Sequence, residues 1–504
     1  MRRVAALLAL ALLARAEGWP FGGEGMLGRR DLFALGPLGL KASDADGPPP
    51  DPAGPPQGRR SVQIDPGAGD DYPARLKVEL LFPDGPAAQA GLVPGDVLTG
   101  VEGARFQDGV ADALAKMILR AQAAKGVVTL LVIPAAGGKT RKVRVTIPTR
   151  GKEALDPTRG GARDKAVAEA LAWLAGKQLE SGGFGETLSG ENGAVVLTSM
   201  AGLAWSGAGC GLSTGPYGEN LSRAAAFVCA SVKNLSEATA AQKSQGAVLD
   251  QCNWGYAHAG LFLGELQAHT PDDAVKEALF FCARRLLETQ ESSGGWAHGP
   301  GGPNPLGYVE LNIVTGLALG ALGMAKQAGF EIAPQALEKA IAYLKASGSG
   351  DGGVGYSTEP GQKGIGNIGR TAAAWLAQEC LGLGREAWTK KVGKYVEAHA
   401  DAMFGGHASL MQHFFLGGVA AQTLGGEARK RYWSVAQREL LLARAPDGSF
   451  QPRPWHESLA MQSNSDVSFG EVWTTAAWAA VLLADAGPKD GHRGFPAWTG
   501  HLAK

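Results

Sequence analysis

The fold of this chain is decided by the segment Gln290-Glu291-Ser292-Ser293-Gly294-Gly295-Trp296, which returns along the sequence after successive helical segments. A near copy precedes it as Gln178-Leu179-Glu180-Ser181-Gly182-Gly183-Phe184, and weaker copies run over residues 348–354 and 444–450. Two further turns fill the gaps, Asn253-Trp254-Gly255-Tyr256 and Phe404-Gly405-Gly406-His407. A turn that recurs in this way indicates a repeat architecture.

Apolar residues spaced at i, i+3, i+4 and i+7 between these turns predict helices in two classes. Six are amphipathic and are expected on the outside, at residues 163–178, 220–235, 273–290, 335–347, 387–400 and 427–444. Six are apolar on nearly every face and are expected inside, at 193–206, 253–268, 308–328, 367–383, 406–424 and 468–485. Six such pairs close most naturally into an (α/α)6 toroid around a central cavity, and an open solenoid is the alternative.

The turn frame Gln-x-x-x-Gly-x-Trp/Phe resembles the repeat shared by triterpene cyclases and protein prenyltransferase β subunits, which are toroids of this kind. The glycines are expected to permit left-handed backbone at the end of each outer helix. The aromatic residue is expected to cover the neighbouring turn. Trp296, Phe184 and Phe450 are therefore interpreted as packing residues between repeats.

The beginning of the chain predicts export. A basic start, a short apolar stretch and the small-x-small run Ala14-Arg15-Ala16 are typical of a signal peptide over residues 1–16, followed by an N-terminal segment at 17–31. Basic and acidic residues are balanced at 48 each, so charge favours neither nucleic acid nor an anionic membrane. No later stretch reaches the roughly 18 uninterrupted apolar residues of a membrane span. A periplasmic or extracellular location without a transmembrane helix or nucleic-acid partner is expected.

A smaller domain precedes the helical repeats. Short β-rich runs around a helix at 109–122 predict an α+β domain over residues 32–148, with a flexible insert at 43–73 that is rich in Pro, Gly and Asp. A linker at 149–162, the toroid at 163–487 and a tail at 488–504 complete the predicted organisation, which is that of a multidomain protein.

The run Gly85-Pro86-Ala87-Ala88-Gln89-Ala90-Gly91-Leu92-Val93-Pro94-Gly95-Asp96-Val97-Leu98 resembles the signature of a bacterial PDZ domain. This resemblance implies that a peptide or protein C-terminus binds along an exposed strand edge. The loop Leu38-Gly39-Leu40 would then receive the terminal carboxylate, with Gly39 and Leu40 as peptide contacts. A domain that docks on its own toroid is the alternative.

Chemistry in such a toroid is expected at the ends of the inner helices nearest the cavity mouth. The residues that could serve acid–base catalysis there on a carbohydrate-type substrate are Glu310, Glu471, His298 and His407, with Asp466 as a third carboxylate. A structural pair of Glu310 or Glu471 with Arg370 is the alternative. Further residues expected to line the cavity are Trp254, Tyr256, His258, Tyr308, Asn312, Asn367, Arg370, Gln412, His413, Trp473 and Thr474.

A zinc site is another alternative, and no other cofactor is expected. Asp250-Gln251-Cys252 resembles the Asp-x-Cys pair by which protein prenyltransferases hold zinc, which implies Asp250, Cys252 and either His258 or His298 as ligands. The Asp-x-Asp-Asp acid of class II triterpene cyclases does not occur in the toroid, so cyclase activity is disfavoured. Five cysteines, odd in number and set within apolar helices, do not indicate a disulfide scaffold.

The chain resembles one family of exported bacterial proteins in a series of segments. These are, in order, the run from Leu35 to Leu40, the PDZ-like core, Asn253-Trp254-Gly255-Tyr256, Gly295-Trp296-Ala297-His298-Gly299 and Gly406-His407. This family, of the DUF6288 type, joins a PDZ-like domain to a toroid of unknown function, and the likeness extends from about residue 32 to 485. The resemblance implies architecture and leaves activity open. Three functions remain: an exported peptide-binding and scaffold protein, a cavity enzyme acting on a carbohydrate, and a zinc-dependent prenyltransferase-like protein.

Overall fold

A computed structural model describes residues 32–46, 72–152, 156, 158, 160–185, 190–235, 251–299, 311–405, 409–453, 465–484 and 495–497. The chain divides into two compact units. The first comprises Met1–Ala162 and Arg438–Glu471, and the second comprises Arg163–Gln437 and Val472–Lys504. This division differs from the predicted one, which placed residues 438–471 with the helical repeats. The predicted signal peptide lies outside the described residues.

An antiparallel sheet forms the centre of the first unit, with strand order β1-β2-β3-β4-β6-β7 and with β5 paired to β4. The strands are β1 (Phe33–Leu35), β2 (Leu40–Asp44), β3 (Leu76–Leu81), β4 (Val97–Val101), β5 (Ala104–Arg105), β6 (Val127–Ile133) and β7 (Arg141–Thr146). Two helices accompany them, α1 (Pro86–Gln89) and α2 (Val110–Ala123). The predicted α+β domain is confirmed at this level, although β2 extends two residues into the insert predicted at 43–73.

Strand β2 has a neighbour on each side. β1 pairs with it from Leu35 opposite Leu40 to Phe33 opposite Ala42, and β3 pairs with the other edge. The short connection between β1 and β2 ends at Gly39, whose φ of 69° is left-handed. β1 therefore holds the edge of β2 that an added peptide strand would need.

Twelve helices of the described chain follow the sheet, and each overlaps a helix predicted from the sequence. The outer helices are α3 (Gly160–Lys177), α5 (Gly218–Ser231), α7 (Asp273–Glu288), α9 (Pro334–Ser347), α11 (Ala387–His399) and α13 (Gly426–Ala443). The inner helices are α4 (Gly190–Gly207), α6 (Cys252–His269), α8 (Asn312–Gln327), α10 (Ile368–Cys380), α12 (Leu410–Leu424) and α14 (Ser465–Ala484), the last interrupted at Gly470. In the described residues, no helix has the length and apolarity needed to cross a membrane.

The first unit includes the end of α13 as well as the sheet. Leu442 belongs to the same hydrophobic core as Leu35 and its neighbours. A Cβ added to Gly36 would overlap the carbonyl group of Ala443, so the chain between β1 and β2 lies directly on this helix end. Sheet and helix end therefore form one packed body.

Consecutive inner helices from α4 to α12 pack side by side. Small residues make these contacts close: a Cβ on Gly202 would overlap the ring of Phe262, and one on Gly316 would lie 2.6 Å from the Cβ of Ala373. The glycine content of the inner helices therefore serves helix–helix packing. Gly255 also packs closely, because its added Cβ would lie 2.7 Å from Leu235 Cδ1.

The segment Asn253-Trp254-Gly255-Tyr256 was predicted as a turn, and this prediction is wrong. It forms the first turn of α6, which begins at Cys252. Glycine and asparagine signal turns in sequence, but here tertiary packing against Leu235 accounts for the glycine.

The glutamine of the repeat motif connects neighbouring repeats. The side-chain amide of Gln178 donates to the carbonyl of Gly182 in its own turn at 2.8 Å and to that of Asn220 in α5 at 2.9 Å. Gln290 repeats both contacts, with its own turn and with Ala336 of α9, each at 2.9 Å. One side chain thus fixes the end of one outer helix to the beginning of the next.

The first glycine of the motif is required by both conformation and space. Gly182 and Gly294 have φ of 86° and 98°, in the region that disfavours other residues. An added Cβ would also overlap the carbonyl of Arg223 in α5 or of Lys339 in α9. The aromatic residue that follows is a packing residue as predicted, since Trp296 is fully buried and its indole donates to the carbonyl of Leu286 at 2.7 Å.

We expect Gly294→Ala to lower the free energy of unfolding by several kcal/mol, because the methyl group combines left-handed strain with overlap of α9. Gly329→Ala is the matched control: its φ is 97°, but nothing lies within 4 Å of the added Cβ. The control should cost only about 1 to 2 kcal/mol. Denaturant unfolding of both variants measures the difference, and equal losses would contradict the close contact between repeats.

Candidate functional site

A group of aromatic and polar side chains gathers where inner helices of the second unit begin. We call it the Trp254 cluster: Trp254, His258, His298, Gln412 and Trp473. Trp254 and His258 lie one turn apart near the start of α6, Gln412 lies in the first turn of α12, and Trp473 lies on α14. His298 is supplied by the turn that begins with Gly294.

The indole of Trp254 lies between two imidazole rings. Its Nε1 is 2.8 Å from His298 Nδ1, and the two ring centroids are 6.0 Å apart. The ring of His258 is also 6.0 Å from the indole, with an interplanar angle of 22°. Trp473 meets His258 edge-on at 6.1 Å. The cluster is therefore a continuous series of ring contacts from one inner helix to another.

Hydrogen bonds assign the protons on both histidines. An indole N–H can only donate, so His298 Nδ1 accepts and the neutral ring carries its proton on Nε2. His258 Nδ1 lies 3.0 Å from the carbonyl oxygen of Trp254. A carbonyl oxygen can only accept, so His258 donates from Nδ1 and its Nε2 bears the free lone pair.

Burial keeps both rings uncharged. It lowers the pKa of His258 to about 4, although hydrogen bonds to the Trp254 carbonyl and to the Gln412 side chain act in the opposite direction. Burial likewise lowers the pKa of His298 to about 4. At neutral pH the cluster therefore offers neutral hydrogen-bonding groups rather than charges.

Two buried polar atoms of the cluster make no hydrogen bond of normal geometry within the described chain. They are His258 Nε2, which is an acceptor, and the amide nitrogen Nε2 of Gln412, which is a donor. His258 is 1% exposed and Gln412 is 4% exposed, whereas Trp254 and His298 are only partly buried. An unsatisfied buried polar atom costs about 1 to 3 kcal/mol. The cluster thus combines two buried polar side chains with two partly exposed aromatic rings.

Asn312 and Asn367 were predicted to line the cavity, but the structure gives them a different role. The amide of Asn312 donates to the carbonyl of Gly355 at 2.9 Å, and that of Asn367 donates to the carbonyl of Gly405 at 2.7 Å. Asn253 makes the equivalent bond to Ala297 at 2.9 Å. Each asparagine thus binds the turn of the following repeat. The sequence signal was an asparagine at the start of successive inner helices.

Three other predicted lining residues make contacts with residues that are not part of the Trp254 cluster. Tyr256 is buried on another face of α6, where its ring is 6.4 Å from that of Phe281. Arg370 lies over the ring of Tyr356 at 5.1 Å near the start of α10. His413 packs against Gly369, whose added Cβ would lie 2.6 Å from the imidazole.

Of the predicted carboxylates, Glu471 and Asp466 belong to the first unit, where both are buried. The charged neighbour of Glu471 in that unit is Lys41 of β2, which sequence reasoning missed because the two residues are far apart in the chain. Burial lowers the pKa of Lys41, and the carboxylate of Glu471 acts against that shift. Glu471 therefore lies close enough to the buried Lys41 side chain to affect its charge.

The remaining predicted residues, Glu310, His407, Tyr308 and Asp250, lie outside the described residues. Cys252 is fully buried at the start of α6 and belongs to no disulfide within the described residues. In the part of the chain that the structure describes, no three histidine, cysteine or acidic side chains come together as metal ligands. The zinc hypothesis therefore has no described ligand set.

Comparison with protein families assigns the helical part of the chain to a family. The family model described as a domain of unknown function, DUF6288, matches residues 204–490. The chain belongs to this family. A search of curated proteins found no match.

Several solved structures resemble the chain in outline. Unsaturated glucuronyl hydrolase from Bacillus sp. GL1 has a TM-score of 0.42 at 14% identity, over 67% of this chain and 98% of its own. A family 76 glycoside hydrolase from a bovine Bacteroides thetaiotaomicron strain has 0.41 at 11%, over 71% and 83%. The type II terpene cyclase MstE from Scytonema has 0.36 at 13%, over 64% and 97%. Similarity at this level carries no information about chemistry.

The neutral state of His258 predicts how stability depends on pH. In the unfolded chain the ring has its ordinary pKa of about 6.5, whereas the folded ring resists protonation until about pH 4. The unfolded state therefore binds more protons in this window, so the free energy of unfolding falls as the pH is lowered. The contribution of His258 to that fall is at most about 3 kcal/mol.

We expect His258→Gln to reduce the loss of stability between pH 7 and pH 4, measured by denaturant unfolding. Trp473→Phe is the control, because it changes packing against the same ring without removing the titrating group. It should lower stability at each pH and keep the pH dependence. An unchanged pH dependence in His258→Gln would show that His258 is not the buried neutral base.

Proposed function

We propose that this chain is an exported protein whose helical part binds a hydroxyl-rich, carbohydrate-type ligand at the Trp254 cluster. The observation that carries this proposal is the pair of buried, unmatched atoms, His258 Nε2 and Gln412 Nε2. One hydroxyl group can donate to the imidazole and accept from the amide at the same time. A ligand hydroxyl would thus satisfy both atoms.

The surroundings suit such a ligand. Binding pockets for small molecules combine aromatic walls with a few polar groups that fix orientation, and the cluster has this composition. The neutral histidines favour uncharged hydroxyl groups over anions, because an imidazole with a pKa of about 4 carries no positive charge at pH 7. Trp254 and His298 remain partly exposed, which leaves a route for entry.

The architecture that we propose for the helical part is an (α/α)6 toroid. Alternation of outer and inner helices supports it, as does the packing of consecutive inner helices from α4 to α12. The contact between His258 of α6 and Trp473 of α14 further supports a ring, because it brings the second and the last inner helices together. An open solenoid would separate them.

For the sheet we propose a PDZ-like fold with a structural role. Peptide addition at Gly39 and Leu40 would require a free edge on β2, but β1 already pairs with that edge. Contact of Gly36 with the backbone of Ala443, inside the same unit, supports a structural role for this segment. Peptide capture would therefore need β1 to be displaced. Export rests on the signal-peptide pattern of residues 1–16.

The proposal is tested by thermal-shift and calorimetric screening of the exported chain, residues 17–504, against neutral mono- and oligosaccharides. We expect at least one saccharide to bind, and binding to be lost in His258→Phe and Gln412→Leu, which remove the acceptor and the donor. His399→Phe is the control, because this histidine stacks on Tyr395 of α11, outside the cluster. Binding that survives both cluster variants, or absence of binding, would overturn the proposal.

The same experiment also tests a separate hypothesis, that the protein cleaves the saccharide it binds. If the bound saccharide is cleaved and Glu310→Gln abolishes cleavage while binding persists, an acid–base enzyme is indicated. Binding without turnover would leave a binding or scaffold domain.

A further inference from the structure

A cavity lies on another side of α6, apart from the Trp254 cluster. Its volume is about 410 Å³, and it opens between the end of α5, the start of α6 and the last turns of α7. Three cationic side chains, Lys233, Arg284 and Arg285, line it together with one carboxylate, Glu288. The cavity therefore has an excess of positive charge.

Aromatic rings support both guanidinium groups. Arg285 lies over the ring of Tyr256 and Arg284 over that of Phe281, each with its Cζ 5.9 Å from the ring centroid. Tyr256 is only 2% exposed, so its ring is fixed by the core. A guanidinium held by its face keeps its N–H edges available for a planar anion. Arg285 thus rests on a ring that the core fixes, whereas Arg284 is exposed and contacts the ring of Phe281.

The ion pairs at the cavity indicate which anion fits. Arg285 pairs with the carboxylate of Glu288, whose side chain is 56% exposed. Lys233 pairs with Glu277 at 3.3 Å, and both of these side chains are largely exposed. Arg284 makes no ion pair within the described residues. The guanidinium of Arg285 thus already contacts a carboxylate, whereas that of Arg284 has no anionic partner among the described residues.

The position of two arginines at a helix end does not account for all the cationic side chains that line the cavity. Arg284 and Arg285 lie near the carboxyl end of α7, where cations are favoured by the helix dipole. Lys233 comes from a different element, the short 3-10 helix Val232–Asn234 after α5. The dipole of α7 does not explain why this lysine and two aromatic rings border the same space.

We propose that this cavity binds a small organic carboxylate. The ligand's carboxylate would accept hydrogen bonds from Arg284 and compete with Glu288 for Arg285, with Lys233 adding attraction. The volume is within the range of small-molecule sites. This site is independent of the Trp254 cluster, because neither His258 nor Gln412 lines it.

The test compares gluconate with sorbitol, which replaces the carboxylate by a neutral hydroxymethyl group. Calorimetry on the exported chain, residues 17–504, should show gluconate binding that weakens with added salt and little binding of sorbitol. Arg284→Met should weaken gluconate binding about tenfold or more, because a charge-assisted hydrogen bond is lost. Glu288→Gln should strengthen it by removing the competing carboxylate.

Lys276→Met is the matched control, since Lys276 lies on the same helix over the ring of Phe280 at 5.5 Å but does not line the cavity. It should leave gluconate binding unchanged, as should His258→Phe, which removes the proposed saccharide site. Equal binding of gluconate and sorbitol, or loss of binding in Lys276→Met to the same extent as in Arg284→Met, would overturn the proposal. Binding of inorganic phosphate but not gluconate would also overturn it.

Discussion

The helical part of this protein depends on the contact between the turn after one outer helix and the backbone of the next outer helix. At Gly182 and Gly294 a turn with left-handed backbone lies so close to the following outer helix that a side chain would overlap its carbonyl groups. Gln178 and Gln290 bind the same following helices through main-chain carbonyls. The motif that marks the repeat in sequence is therefore also the joint between repeats. The motif recurs along the sequence because each turn must contact the outer helix of the next pair.

Contacts between repeats also determine where the side chains of the Trp254 cluster lie. Three inner helices, α6, α8 and α10, have an asparagine at their start that binds the turn of the following repeat. Inner-helix ends are thus held at fixed positions by backbone hydrogen bonds. Side chains one turn further along, such as His258, are then placed against neighbouring inner helices with little freedom. A rigid frame of this kind allows a buried polar pair to persist without collapsing around its unsatisfied atoms.

The sequence predicted the regular elements well and the specific contacts poorly. All twelve helices follow from apolar periodicity, because burial of a helical face is a local pattern. The contacts of Asn312 and Asn367 with turn carbonyls could not be predicted, because a polar residue at a helix start has the same sequence signature whether it binds a ligand or a backbone carbonyl. The proximity of Lys41 to Glu471 and the pairing of β1 with β2 depend on tertiary structure. Periodicity carries no information about contacts of that kind.

The uncharged state of the two histidines in the Trp254 cluster favours ligand binding over acid–base catalysis. A general acid or base works best with a pKa near the working pH, and a carboxylate close to an imidazole would raise its pKa toward that range. Burial is instead the leading cause at both His258 and His298, and it takes their pKa values to about 4. Such rings are weak bases and are not acids at neutral pH, but they are good neutral acceptors and donors. The described cluster is accordingly better suited to hold a hydroxyl group than to transfer its proton.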